Sequence, residues 1–391
     1  MSKKSIGLLI LILIIIIASG LWLGKDKLMP YFFEPRETTI LEGVNLDNFS
    51  KLEEKKMQNN EKENIQTVAK DLSIPWEILF LPDNSLLVTE RPGNLVRIKP
   101  ENKEKIKIEG VEHTGEGGLL GAALHPGFPS NNWLYLYLTT RTDQGLINRV
   151  ERYKFNLEKN SLAEKETIIT NIPGASYHDG GRIAFGPDNL LYITTGDAGQ
   201  TQLAQDIGSR AGKILRLKDN GDIPEDNPFN NEVYSYGHRN PQGLAWDKQG
   251  NLWATEHGPS GLNSGFDEVN LIQKGGNYGW PLVKGEENRE GLIAPIIQSG
   301  SEDTWAPAGL EIIENKLFFV GLRGSALYSV QVEERNLDGL TLNFKNDWGR
   351  LRICRQGPDG FLYLATSNTD GRGNPREKDD KIIKINPRGI K

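Results

Sequence analysis

Gly186-Pro187-Asp188-Asn189-Leu190-Leu191-Tyr192-Ile193 is the stretch that decides the fold. Pro-Asp-Asn is turn chemistry: proline presets φ, and the Asp and Asn side chains bond back to the backbone. An apolar run follows at once, so the segment reads as a tight turn feeding a hairpin strand. The same grammar recurs at Leu81-Pro82-Asp83-Asn84-Ser85-Leu86-Leu87-Val88 and at Gly357-Pro358-Asp359-Gly360-Phe361-Leu362-Tyr363-Leu364, with variants at Asp247–Ala254, Trp133–Leu138 and Asn315–Val320. A second, short apolar-basic strand pattern accompanies each copy: Leu95–Lys99, Arg152–Phe155, Ile214–Leu217, Val269–Ile272, Leu327–Val330 and Ile382–Ile385. The spacing of roughly 55–60 residues, with no long helical periodicity between copies, is that of a propeller blade. Six paired markers in register predict an all-β, six-bladed β-propeller rather than a sandwich with coincidental spacing.

Composition agrees. The 43 glycines among 391 residues exceed the usual share of about 7% and suit a turn-rich β protein. A formal net charge of −6 and the lack of a basic stripe with interleaved aromatics speak against a nucleic-acid partner. The single cysteine, Cys354, rules out an internal disulfide and a cysteine-based metal cage.

The N-terminus reads differently. Lys3 and Lys4 precede an unbroken apolar run from Ile6 to Leu23, long enough to span a bilayer by the ~18-residue criterion. The lysines should stay cytoplasmic, which places the remainder outside the membrane. Residues 1–24 are therefore expected to form a membrane-anchor helix; a cleavable signal peptide is the competing reading, since Ala18-Ser19-Gly20 offers a small-residue site. No cysteine near the run permits lipoprotein processing. Residues 25–67 are polar and charge-dense and read as a tether, and the propeller is expected over 68–391.

In a propeller the loops at one end of the central channel converge, so residues distant in sequence share a pocket. Three loops have the polar, glycine-flanked character of such a site: Tyr177-His178-Asp179-Gly180-Gly181 with Asp197 one strand later, Gly237-His238-Arg239-Asn240-Pro241, and Glu256-His257-Gly258-Pro259. His178 with Asp197 suits general-base work, the carboxylate fixing the tautomer; a buried structural His–Asp bond fits the same residues. Zinc is not expected, because no two histidines have helical i, i+4 spacing. Several arginines, Arg239, Arg323, Arg350 and Arg352, could together hold a polyanion. Carbonyls at Gly258 and Pro259, with Asp267 and Glu268 nearby, could coordinate a hard cation such as Ca²⁺.

Residues 68–391 also resemble the soluble pyrroloquinoline quinone (PQQ)-dependent sugar dehydrogenases, particularly the aldose sugar dehydrogenase branch. The resemblance rests on Pro75-Trp76, Val88-Thr89-Glu90-Arg91-Pro92-Gly93, Glu116–Gly121, Leu124–Phe128, His178–Gly199, Gly208–Arg216, Tyr236–Leu244, Glu256–Pro259 and Gly276-Asn277-Tyr278-Gly279-Trp280-Pro281. It implies a six-bladed propeller and oxidation of an aldose at the anomeric carbon to a lactone, with PQQ and Ca²⁺ as cofactors. It implies His178 as the base and Asp197 as the acid that orients it. Arg239 would lie over the quinone oxygens, with Asn240 beside it as a further cofactor contact. Arg323 would grip the cofactor, and Arg350 and Arg352 would clamp its carboxylates. Gly258 and Pro259 would be the carbonyl ligands of calcium. Glu116 and Tyr177 are the candidates for sugar contact, and Trp305 is either a wall of the site or a core residue. Asp179 stands where the family commonly has an uncharged amide, which implies extra negative charge beside the base. An unidentified electron acceptor must drain the reduced cofactor. Two other functions fit a propeller: a calcium-dependent lactonase-type hydrolase, which needs carboxylate and amide ligands around a channel metal, and a non-catalytic cell-surface binding module.

Overall fold

The computed structural model describes residues 65–390 apart from residues 101 and 261–263. The expected anchor and nearly all of the tether lie outside the described residues, among which no helix is long and apolar enough to cross a membrane.

Among the described residues, twenty-four strands form six four-stranded antiparallel sheets. The turn grammar explains the hairpins. In the turns at Asp188 and Asp359 the Asp Oδ1 accepts the backbone N–H two residues on, at 3.2 Å in both. The other oxygen takes the hydroxyl of the tyrosine four residues on, Tyr192 and Tyr363, at 2.9 Å in both. The residue after each Asp is left-handed, φ 60° at Asn189 and 79° at Gly360, which is why asparagine or glycine stands there. Each turn leads into the second strand of a blade (Leu191–Thr195, Leu362–Thr366), and the apolar-basic markers are the third strands (Lys213–Leu217, Ile382–Ile385).

The ring closes through the N-terminus. Ile65–Ala69 pairs with Ile382–Ile385 and becomes the outermost strand of the last blade. Ile65, the first described residue, already lies in this strand, three residues ahead of Val68. Apolar side chains buried between neighbouring sheets, such as Trp76, Leu120, Tyr137, Ile183 and Leu215, form the inter-blade core.

The innermost strands line the channel: Pro75–Phe80, Leu119–Leu124, Ile183–Phe185, Pro241–Trp246, Pro307–Ile313 and Leu351–Gln356. Pairing slips by one residue at Pro75/Glu77, at Pro241/Gly243 and at Leu351/Ile353. These bulges leave Trp76, Gln242 and Arg352 unpaired in the ladder. A bulge re-aims a side chain, and these three meet: Arg352 Nη1 donates to Gln242 Oε1 and its guanidinium lies 5.7 Å from the Trp76 ring. Further along the channel Glu77 accepts from Arg182 Nη1, and from Arg355 Nε and Nη2 at 3.0 Å each. The Arg182 guanidinium packs over the Trp76 ring, 4.0 Å from its centroid. The axis is therefore filled by a paired charge cluster capped by an aromatic ring, and the open site lies at the mouth.

Candidate active site

The loop that carries His178 is built by glycines. His178 itself has φ 60°, uncommon for a non-glycine residue and a form of strain that clusters at functional sites. A Cβ on Gly196 would fall 1.9 Å from the His178 carbonyl oxygen, so only glycine lets the strand end approach the loop so closely. The His178 N–H donates to Glu116 Oε2 at 3.0 Å.

The His178 ring, slightly exposed, meets Asp197, fully buried, through Nδ1 and Oδ1 at 2.7 Å. Burial works to raise the Asp197 carboxyl, but the His178 hydrogen bond, the Gly199 N–H (2.8 Å) and the Trp280 indole Nε1 (2.8 Å, to Oδ2) outweigh it and hold it below its usual range. Asp197 is thus an anion at neutral pH, which assigns the Nδ1 proton to the imidazole and leaves Nε2 as an acceptor. Trp280 belongs to a motif seen in the sequence, but its role there was not read: it fixes the second oxygen of Asp197 and lies 5.5 Å from the Arg239 guanidinium.

Arg239 is brought beside this pair as expected. Its backbone N–H donates to Glu256 Oε1, and its guanidinium bonds Ser260 Oγ at 2.9 Å and the His257 carbonyl at 3.4 Å. Burial lowers its pKa, with Asp197 and Glu116 opposing. Asn240 accepts the Gly180 N–H at 3.0 Å through Oδ1, which leaves its amide nitrogen buried with no partner. His238, next to Arg239, is structural: it bonds Ser235 Oγ and Glu256 Oε2, each at 2.8 Å, and stacks on Tyr278.

Next to this dyad is a cavity of about 200 Å³ whose wall includes Arg91, Glu116, Gln242, His257, Arg352 and Asp370. Glu116 is ion-paired to Arg372 at 2.6 Å. Burial alone would raise its carboxyl, but His257, Arg372 and the His178 amide hold it at about 2. Burial in turn drives His257 down to about 3, so above that pH His257 is neutral and Arg372 with the His178 amide does the holding. Burial, then Arg91, lowers Arg352 to about 9.

The remaining residues read from the sequence are placed as follows. Arg350 does not face an open site with Arg352: Nε (3.0 Å) and Nη2 (2.8 Å) both bind Asp370 Oδ2. Arg323 is exposed, and among the described residues its guanidinium has no hydrogen bond or ion pair; its neighbour Leu322 lines the cavity instead. Asp179 is turned from the base, accepting from Asn148 Nδ2 (2.9 Å) and the Ala175 N–H (3.1 Å), and burial lifts it to about 7. Trp305 is a core residue packed on Phe319 and Tyr328. Tyr177, 45% exposed, sits edge-on to the His178 ring at the rim.

The donor set fits an anionic, carbonyl-bearing ligand. Among the described residues Arg239 Nε, Asn240 Nδ2 and Arg352 Nε are buried without a partner, a costly state unless a ligand accepts from them. Beside them Gly258 is buried, its N–H held by Asp267 Oδ1 at 2.8 Å; a Cβ there would fall 2.1 Å from the Gly265 carbonyl oxygen. The other Asp267 oxygen takes the Trp305 and Ala306 N–H groups. Asp267 thus shapes the Gly258–Pro259 turn, and any cation there would rely on backbone carbonyls. Among the described residues no three His, Cys, Asp or Glu side chains gather to hold a metal.

The profile of the glucose/sorbosone dehydrogenase family matches residues 72–375. The aldose sugar dehydrogenase YliI of Escherichia coli K12 is 32% identical over 360 residues, spanning 83% of this chain and 93% of the relative. Quinoprotein glucose dehydrogenase B of Acinetobacter calcoaceticus is 36% identical over 58% of this chain and 54% of its own. Among solved structures, the PQQ-bound aldose sugar dehydrogenase of Streptomyces coelicolor is 39% identical with a TM-score of 0.77, covering 82% of this chain and 96% of its own.

Proposed function

This chain belongs to the glucose/sorbosone dehydrogenase family, and from that premise we propose that it is a PQQ-dependent aldose sugar dehydrogenase, oxidising the anomeric carbon of a sugar to a lactone. The observation that carries this reading is the base dyad, His178 on Asp197 at 2.7 Å, standing beside buried, unpartnered donors of Arg239, Asn240 and Arg352.

The residues divide the work. The anomeric hydroxyl gives its proton to His178 Nε2, while Asp197 stabilises the imidazolium through Nδ1. Asp197 is held by Gly199 and Trp280, so the ring keeps one orientation. Arg239 places a fixed cation where negative charge develops on the acceptor's oxygens. Asn240 and Arg352 would orient the cofactor, and the Gly258 and Pro259 carbonyls would hold Ca²⁺. When bound, PQQ supplies the two-electron acceptor for the C1 hydride and calcium polarises it. Glu116 and Tyr177 border the entrance on the substrate side.

Two features disfavour the alternatives. A lactonase needs a carboxylate and amide cage on the channel axis, where Trp76 and the Glu77–Arg182–Arg355 cluster stand instead. A pure binding module has no use for an oriented His–Asp pair. The apolar run Ile6–Leu23 after Lys3 and Lys4 further leads us to place the propeller outside the cytoplasmic membrane, passing electrons to an acceptor there.

The test is reconstitution of the full-length apo-protein with PQQ and Ca²⁺, following dye reduction across a panel of aldoses. Turnover that needs both additions supports the reading. Absence of quinone binding would overturn it.

A further inference from the structure

Lys213 is fully buried, yet among the described residues its ammonium pairs with no carboxylate. It donates instead to three backbone carbonyls, those of Leu203 at 2.8 Å, Ala204 at 3.0 Å and Ala211 at 2.5 Å. Burial pulls its pKa down to about 7, with Asp206 opposing, a measure of what the position costs the charged form. An apolar side chain on this strand would carry no such cost, so the three bonds call for an explanation.

The carbonyls belong to segments that build the site. Within Lys213–Leu217, Lys213 stands opposite Thr195, two residues before Asp197, and opposite Tyr236, three before Arg239. Leu203 and Ala204 end the short helical turn Thr201–Ala204 that follows Asp197. The Ala204 carbonyl also accepts the Gly237 N–H at 2.9 Å, so the ammonium ties the loop after Asp197 to the loop before Arg239. The next residue, Gln205, reaches Trp280. Its Nε2 donates to the Trp280 carbonyl at 2.7 Å and to Asn277 Oδ1 at 3.0 Å, and its Oε1 accepts from Asn277 Nδ2 at 2.9 Å. A Cβ on Gly237 would fall 2.2 Å from Asn277 Oδ1 and 2.9 Å from Gln205 Nε2, so glycine is what admits this amide pair. Trp280 in turn holds Asp197 Oδ2 at 2.8 Å.

We propose that Lys213 is a positioning residue for the base dyad: its ammonium fixes the Leu203–Gln205 segment, Gln205 fixes Trp280, and the Trp280 indole holds Asp197 in line with His178. The inference rests on the reading of His178 and Asp197 as the catalytic pair and deepens it. Lys213 does not line the cavity, so it acts only through these residues.

The first measurement is independent of turnover. Full-length apo-protein labelled with heavy nitrogen at its tryptophans gives an indole N–H resonance for Trp280, assigned by its loss in Trp280→Phe. At about pH 6, where the Lys213 ammonium is charged, Lys213→Met should move that resonance upfield as the indole's bond to the carboxylate lengthens. Gln205→Leu should move it the same way, because it cuts the same line nearer the tryptophan. A resonance left at the wild-type position in either variant would overturn the proposal.

The second measurement is kinetic, with PQQ, Ca²⁺ and an aldose. Lys213→Met should lower kcat about tenfold and leave KM and quinone affinity within about threefold, since a misaligned base is felt in the transition state. In a Trp280→Phe background the same change should cost at most about twofold more, because both act on one carboxylate. Full additivity would assign Lys213 to general support of the fold and overturn the proposal. Lys213→Gln, which keeps an uncharged donor on a shorter stem, carries both measurements if the Met variant does not fold, with a kcat loss of about threefold. If wild type turns over no aldose while the Trp280 resonance moves in Lys213→Met, the dehydrogenase reading fails and the positioning of Asp197 stands.

Discussion

The two ends of the channel solve the problem of buried charge in opposite ways. On the axis, Glu77 answers both Arg182 and Arg355, and although burial pushes its carboxyl up, Arg182 and then Arg355 hold it below the usual range. At the mouth, Arg91, Arg239 and Arg352 are also withdrawn from water but lack carboxylate partners among the described residues. A paired cluster supports the scaffold, whereas an unpaired one stands ready for a ligand. The difference teaches that burial alone does not mark a functional cation; burial without a counter-charge does.

The sharpest contrast is between chemistry and stability. His178→Ala at the mouth should reduce kcat on the order of 10²–10⁴-fold, the usual worth of a positioned base. Quinone affinity and unfolding midpoint should change little, since among the described residues the ring bonds only Asp197. Steady-state kinetics beside a fluorescence titration checks both halves. A variant that kept most of its activity would remove His178 from the role of base.

Glu77→Ala asks the converse question. It strands the buried Arg182 guanidinium and leaves part-buried Arg355 only Glu311, at 3.9 Å, and should cost about 3–5 kcal/mol in denaturant unfolding. Arg352→Met, which keeps an apolar stem beside Trp76, should leave apo stability within about 1 kcal/mol of wild type or raise it. Equal losses at the two positions would show that the mouth's arginines are structural and break the comparison.

The sequence made one half of each blade plain and hid the other. Asp188, Asp359 and their relatives announce the second strand because an Asx turn is local chemistry, written in adjacent residues. The third strands follow at regular spacing. The innermost strands are harder because their function depends on a slip in pairing. Nothing in the string around Trp76, Gln242 or Arg352 marks a bulge, since the extra residue exists only relative to the partner strand. The site was legible where one loop carries the chemistry, as at His178 and at Arg239-Asn240. It was not legible where a role depends on which carboxylate stands opposite: Arg350 and Arg352 look alike in sequence, yet only Arg350 meets Asp370. Trp280 was hidden for the same reason, being 83 residues from the aspartate it fixes.

Asp179 extends the comparison to a buried anion. It sits next to the base in sequence, and one of its oxygens, Oδ2, has no partner. Burial lifts its pKa from 3.8 to about 7. Because the folded value is raised, the folded state holds a proton that the unfolded state releases between about pH 4 and pH 7. Stability from this group is therefore intact below pH 4 and falls as pH rises toward 7. Asp179→Asn removes that titration while keeping an oxygen for Asn148 and the Ala175 N–H. The new amide hydrogens lack an acceptor at every pH, so the variant should be the less stable at pH 4 and gain on wild type by up to about 4 kcal/mol by pH 8, the worth of the full shift. The difference between their urea midpoints across pH reads this carboxyl together with the charges it feels, Glu116 and Arg91. A difference that stayed flat from pH 4 to pH 8 would mean that Asp179 is charged in the fold, which would restore the negative charge beside His178 that the sequence suggests.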